Sequence, residues 1–421
     1  MRDLRNALLA AMFAVAASVI ATSTATAATL VIHAGHLIAE PGKPATTNQS
    51  IVISAGKVVA IQDGFIQGDT TIELQDSWVM PGLIDMHTHV TGELEPNQPL
   101  AGAFDHAYMG RPAQLVLSML PRMKKLLMNG FTTIRNLGDP SSTTYDLRDA
   151  INDGAVVGPR MFAIESQIGV DGGDYDASKW GVRRDLEQFV TNRGNCSGVV
   201  ECTRVVREEV NRGADVIKFR QAGAPASDPA VEMVESEDEV KAIIDTAHKL
   251  DRKVAVHVVG SPKFLHLVIA DGADTIEHGP LDDASIALMK KHGTAYTPTL
   301  LAAKTIDYRY DDAAASTGKA YRAGIPVIFG TDLGILGPDR SHEELALLNA
   351  AGLPPEQVLR AATVNAATAL GRGDSLGSIA PGKIADVIAM KFDPVAHIGD
   401  VAAPGKVSFV MKEGEVYKNE R

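Results

Sequence analysis

Residues 275–300 read TIEHGPLDDASIALMKKHGTAYTPTL. A short apolar run carries a histidine near its end, and a segment of helical texture follows. Gly293 stops that segment, and a second short run begins at Ala295. A glycine just past a helix end, flanked by runs of strand length, describes a strand–helix–strand unit. The same texture repeats through residues 81–372. The further runs are GLIDMHTH (82–89), FTTIRNLG (131–138), MFAIESQ (161–167), DVIKFR (215–220), KVAVHVVG (253–260) and PVIFGTD (326–332), which makes eight with the two above. Glycine-containing helix ends such as NRGAD, ADGAD, KKHGTA and YRAGIP precede several of them. Eight strand-then-helix units predict an α/β fold, a (β/α)8 TIM barrel, whose functional groups sit at the C-terminal ends of the strands.

Two spacings exceed what one unit needs. Residues 91–130 predict a mobile loop ahead of a helix, and 168–203 predict an insertion after the third strand. Outside the repeats, TLVIHAGHLI and SIVISAGKVVAIQDG near the start and GSIAPGKIADVIAM and VSFVMKEGEVYK near the end are β-branched runs broken by Gly-containing turns. They predict a small β-sandwich domain built from both chain ends, residues 28–80 and 373–421. Before it, residues 1–27 place Arg2 and Arg5 ahead of an apolar run and the small residues ATA at 25–27. This is the layout of a secretory signal peptide, which predicts export to the periplasm or beyond. The apolar part is short of the roughly 20 residues a spanning helix needs, so the alternative of a membrane anchor is the weaker one.

The 421 residues are 45% hydrophobic and 22% charged, with a formal charge of −12. That is globular composition with material for a large core, and no Lys/Arg run marks a nucleic-acid footprint. Cys196 and Cys202 are the only cysteines. In an exported chain they read as a structural disulfide or as free thiols, not as catalysts.

The strand ends carry chemistry. His87 and His89 stand at i and i+2, on one face of a strand, where they can hold one metal between them. Lys218, His257, His278 and Asp332 close four other runs. Each alone has a bland reading, as a hydrogen-bonded core histidine or a helix cap. A lysine at the end of an inward-facing strand is costly without a partner. Six polar groups at the strand ends of one barrel do not fit six independent accidents.

The motifs PGLIDMHTH, VIK, HVVG, IEHG, TPTL, GTD and GSIAPGKIAD together resemble the amidohydrolase superfamily in its two-metal branch. The run 275–300 is similar to the Xaa-Pro dipeptidase-like and imidazolonepropionase-like group, which includes ochratoxin-degrading amidases. The resemblance covers nearly all the chain after residue 27. It implies two divalent metal ions, zinc by default, although the donor set also suits cobalt, manganese or iron. It implies that His87, His89 and Asp332 bind the first, that His257 and His278 bind the second, and that Lys218 bridges them as a CO2-derived carbamate. It further implies a hydroxide held between the metals as nucleophile, with Asp332 shuttling the proton. The second metal then polarises the scissile carbonyl. A homo-oligomer is the usual assembly of that group. One departure stands out: KFRQAGAPASDP after Lys218 lacks the Gly-Gly pair common there, so the substrate side of the site differs.

For substrate, Arg220 shares a face with Lys218 and can grip a carboxylate or pair with a loop acid. His342 can line the mouth or start a helix. Tyr296 and Thr299 are further candidates, and residues 95–110 a candidate lid. His106, His248, His266, His292 and His397 read as solvated or structural. The expected activity is release of a C-terminal amino acid from dipeptides or N-acyl amino acids, including ochratoxin-like N-acyl phenylalanine. The alternatives are a lactonase or cyclic-amide hydrolase using the same site, and a non-catalytic binding barrel, which would be expected to lose ligands.

Overall fold

The computed structural model describes residues 28–90, 111–139, 143–173, 176–177, 183–187, 193–223 and 231–420. The N-terminal segment 1–27, the candidate lid 95–110 with His106, and parts of the 168–203 insertion lie outside them. The described chain begins with strands β1 (Thr29–Leu37), β2 (Thr46–Ser54), β3 (Lys57–Asp63), β4 (Thr70–Pro81) and β5 (Leu83–Thr88). Next come α1 (Pro112–Met128), β6 (Phe131–Leu137), α2 (Thr144–Asn152), β7 (Arg160–Ile164), the short β8 (Gly169–Val170) and β9 (Asn195–Cys196), α3 (Gly198–Arg212) and β10 (Val216–Arg220). After these, α4 (Glu237–Lys249), β11 (Lys253–His257), α5 (Pro262–Ala270), β12 (Thr275–Glu277), α6 (Asp283–His292) and β13 (Ala295–Thr297) alternate. The chain then runs through α7 (Leu300–Thr305), α8 (Tyr310–Arg322), α9 (Glu343–Ala350), α10 (Pro355–Arg360) and α11 (Ala366–Ala369) to β14 (Val387–Met390), β15 (Val407–Lys412) and β16 (Glu415–Asn419).

Local chemistry sets these bounds. In α4, Val240, Ile243, Ile244 and Ala247 are buried at helical spacing, and Ser236 with Glu239 forms a capping box at its start. In α6, Asp282 accepts from the Ser285 N–H at 2.7 Å, and Gly293 ends the helix in the left-handed region. The helical reading of residues 275–300 is therefore met at both ends. Among the described residues no helix is long and apolar enough to cross a membrane.

The middle strands pair in parallel, β5–β6–β7 and β10–β11–β12–β13. Backbone hydrogen bonds join the two sets. Asp215 N donates to Ala163 O at 2.9 Å, and Ile168 exchanges bonds with Lys218 and Arg220. On the other side, Tyr296 N donates to Pro326 O at 2.9 Å, and Met86 N to Phe329 O at 3.0 Å. Segment 326–332 thus serves as the eighth stave and closes a ring. It forms no continuous ladder of its own, because Pro326 lacks an N–H and Asp332 takes a φ of 58°.

Strands from both chain ends do combine, but into a single mixed sheet ordered β16-β15-β14-β4-β1-β2-β3, with β4 parallel to β1. The hydrogen-bonded strands form one sheet that curls until its flanks meet. Ala385 N donates to Gly56 O, and a Cβ on Gly414 would lie 2.8 Å from the Gly56 Cα. The curl has a visible source. Between Ala34 and His36 the ladder slips, with Leu74 and Trp78 as their partners on β4, and Gly35 lets the Gln75 carbonyl pack against it. Ile32, Ile51, Leu74, Val387, Phe409 and Met411 share one apolar cluster across it. Arg160 at the base of β7 ties ring to sheet through Asp386 (2.6 Å) and Glu413 (2.7 Å).

Candidate metal centre

The strand-end residues converge at one end of the ring. His87 is fully buried and His89 half-buried, on the same face of β5 as their spacing requires. Asp332 reaches back from the eighth stave, its Oδ1 lying 3.4 Å from both His87 Nε2 and His89 Nε2. Lys218 Nζ is 3.2 Å from His87 Nε2. The His278 ring centroid lies 4.6 Å from that of His87 and 4.6 Å from that of His257. Donor atoms of His87, His278 and Asp332 fall within 4.8 Å of one another, and an ion fits between them.

The electrostatics suit a cation. Burial, followed by neighbouring positive charge, holds His87, His257 and His278 well below the usual histidine range, so their lone pairs are free at neutral pH. Burial lowers the Lys218 amine to about 7, against attraction from Glu277 and Asp332. A neutral buried amine is the form that reacts with CO2. Asp332 is raised, again chiefly by burial. His89 Nδ1 donates to the Gly138 carbonyl, which turns Nε2 toward the Asp332 carboxylate. His257 Nε2 is buried without a hydrogen-bond partner. A buried imidazole nitrogen without a partner is costly unless a cation sits beside it. The residues therefore fit divalent metal.

Supporting groups surround this cluster. Asp85 accepts from His87 N and Thr331 N at 3.1 Å each and from the Thr331 hydroxyl at 2.7 Å, locking β5 to the stave that carries Asp332. Burial raises Asp85 to about 7. Thr299 Oγ1 lies 2.6 Å from His278 Nδ1. Buried Glu344 accepts from Leu300 N and Leu301 N at 3.0 and 2.6 Å, fixing the chain just after Thr299. His278, Thr299 and Asp332 have φ of 67°, 49° and 58°. For non-glycine residues this costs on the order of 1–3 kcal/mol each, and such strain clusters at functional sites. Gly330 lies against the His87 side chain, where a Cβ would come within 2.9 Å of His87 Cβ.

Of the residues considered for substrate, Arg220 ends β10, half-buried, and its charge is the largest influence after burial on His257. Thr299 joins the cluster through His278. Tyr296 does not. It is fully buried, its hydroxyl donates to Gly279 O at 2.6 Å, and Thr317 of α8 bonds to it, so it faces the helix layer. The alternation that turns Thr297 inward against Gly330 turns Tyr296 outward. His342 stands at the N-cap of α9 with Nδ1 2.9 Å from Asp339 O, the helix-start reading. Cys196 and Cys202 form a disulfide that ties β9 to α3. Arg135, Glu277, Asp85 and Glu344 were not singled out from sequence. For Arg135, Glu277 and Asp85 the one signal was a charge inside an apolar run, which burial makes hard to excuse; Glu344, in the charged stretch DRSHEEL, carried none.

A family model for the amidohydrolase family matches residues 78–417. The chain belongs to the amidohydrolase family. Ochratoxinase of Aspergillus niger is 29% identical over 434 aligned positions, covering 94% of this chain and 88% of that protein. Imidazolonepropionase of Chromobacterium violaceum is 27% identical, covering 80% of each. The crystal structure of a Xaa-Pro dipeptidase with bound methionine in the active site superposes with a TM-score of 0.82 at 29% identity, covering 93% of this chain and all of that one. This amidohydrolase is therefore a hydrolase by family, and its fold is α/β.

Proposed function

We propose that this chain is a two-metal amide hydrolase, exported, that releases a C-terminal amino acid from dipeptides or N-acyl amino acids. The observation that carries the reading is the convergence of three neutral imidazoles, one of them fully buried, a buried amine lowered to about 7 and one carboxylate at one end of the ring. On this reading the ring is a (β/α)8 barrel spanning 81–372, and the curled sheet is its accessory domain. His87, His89 and Asp332 would hold one ion, His257 and His278 the other, and carbamylated Lys218 would reach both. Bound divalent cations, zinc by default, supply Lewis acidity and make water a nucleophile near neutral pH. Asp332 takes the proton from the attacking water and returns it to the leaving nitrogen, a task suited by its raised carboxyl. Arg220, two residues beyond Lys218 on the same strand, holds the substrate carboxylate.

A linear amide is favoured over lactones and cyclic amides by the likeness to an ochratoxinase and to a Xaa-Pro dipeptidase structure, each at 29% identity. The imidazolonepropionase relative keeps the cyclic amide as the alternative. Export rests on residues 1–27 and is supported by the disulfide, a bond that persists outside reducing compartments. The homo-oligomer rests on the resemblance alone. The test is metal content of the purified chain beside a panel of dipeptides and N-acyl amino acids with varied C-terminal residues. Two metals with amino-acid release are expected. Two metals without release, together with turnover of lactones or cyclic amides, would replace the linear amide by its alternative. Failure to take up metal with bicarbonate present would end the two-metal reading.

A further inference from the structure

Beneath the histidine cluster lies a charged network that the proposed chemistry does not use. Arg135 projects from β6 into the ring and is 1% exposed. Its Nε donates to Met86 O at 2.7 Å, one Nη to Thr275 Oγ1 at 3.1 Å and the other to Glu277 Oε1 at 2.6 Å. Thr275 also donates to Glu277 Oε1. The second oxygen of Glu277, Oε2, lies 2.8 Å from His87 Nδ1. A buried ion pair is weak evidence of stabilisation, since apolar residues of similar volume often serve as well. This pair has a directional consequence instead. Both donors on Oε1 make that oxygen an acceptor, and Oε2 is left to accept from His87.

We infer that Glu277, oriented by Arg135 and Thr275, is a positioning residue that pins the His87 proton on Nδ1 and so aims the Nε2 lone pair at Lys218 and Asp332. The inference rests on the two-metal reading for its purpose, but the proton's location is a property of the protein alone. Glutamine at 277 makes the logic sharp. Its single oxygen is claimed by Arg135 and Thr275, so its NH2 turns to His87 Nδ1, which must then accept. The ring proton moves to Nε2, the nitrogen that would ligate metal.

The experiment uses the full chain, 15N-labelled at histidine and chelator-treated, in long-range proton–nitrogen spectra, with His87 assigned by its loss in His87→Ala. Zn2+ affinity is measured by chelator competition on the same samples. Wild type is expected with the proton on Nδ1, and Glu277→Gln with it on Nε2 and Zn2+ bound about 10–100-fold more weakly. Arg160→Met, which breaks the distant ion pairs at the ring's base, is expected to destabilise the chain without moving the His87 proton. A wild-type proton on Nε2 overturns the inference, even where Glu277→Gln does not fold. So does a Glu277→Gln chain that keeps the Nδ1 proton and full affinity. Absence of Zn2+ uptake by wild type would defeat the metal reading while leaving an Nδ1 proton in support of the role of Glu277.

Discussion

Lys218 is the residue whose burial says most. The usual ammonium is disfavoured where Lys218 lies, and its pKa falls to about 7. The sign follows from proton counting. Between about 7 and the ordinary 10.5 the unfolded chain keeps the proton and the folded chain has lost it. Stability of the metal-free protein therefore rises with pH across that window. Lys218→Met removes the buried charge, so its stability advantage over metal-free wild type should be greatest below pH 7 and shrink towards 10.5, read by urea melts at several pH values. On the two-metal reading proposed above, the same titration would govern carbamate formation at Lys218. Metal uptake in bicarbonate should fall as pH drops through about 7, since CO2 needs the free amine. Uptake that stayed flat down to pH 5 would remove Lys218 from the bridging role. At Asp332, exchange for Asn keeps the side-chain shape and removes the proton acceptor. Turnover should drop at least 100-fold with the fold intact by circular dichroism, because general acid–base catalysis contributes about 10²–10⁴-fold. Arg220→Ala should raise KM for free-carboxylate substrates more than for their amides, and equal effects on both would remove it from that role.

At the scale of elements, the eighth stave and β5 fit face to face only because Gly330 has no side chain. A Cβ there would meet Thr297 Cγ2 at 2.4 Å and His87 Cβ at 2.9 Å. Gly330→Ala must push the two strands apart, at about 1–3 kcal/mol for overpacking. Loss of metal affinity should accompany the drop in melting temperature. The disulfide works on a different element pair, holding the returning end of the insertion to α3 beside β10. For so short a loop the chain-entropy model gives about 2 kcal/mol. Cys202→Ser should lower the denaturant midpoint accordingly, in a comparison run without reductant.

For the whole molecule, Arg160 is the joint between ring and curled sheet. Its guanidinium contacts Asp386 and Glu413 across 226 and 253 residues of sequence, and Lys412 Nζ donates to Gly158 O nearby. Burial works against the charge, and the two carboxylates more than offset it, raising Arg160. Arg160→Ala leaves Asp386 buried without that partner, a class of change that costs about 3–5 kcal/mol. Chemical unfolding should show the loss. If the variant kept wild-type stability, the sheet would not be held to the ring through this pair.

Much of this was open to reading from the chain itself. Strand–helix periodicity, glycine stops and the His-x-His spacing are local, and they place six polar residues at strand ends from the sequence alone. The structure brings those six together. What sequence could not supply is what depends on contacts between distant segments. Tyr296 sits on the same short strand as Thr297, and only the ring's closure decides which faces the helices. That the strands of both chain ends join one curled sheet, with a ladder slip near Gly35, is likewise a property of strand pairs and not of any one strand. Arg135, Glu277 and His87 are separated by 142 and 190 residues, so their network exists only once the ring is closed. The residue types and their periodicity, which act over a few bonds, determined which groups could bind metal. Packing across the ring, which acts over a few ångströms between remote segments, decided which nitrogen of His87, His89 and His278 is left to do so.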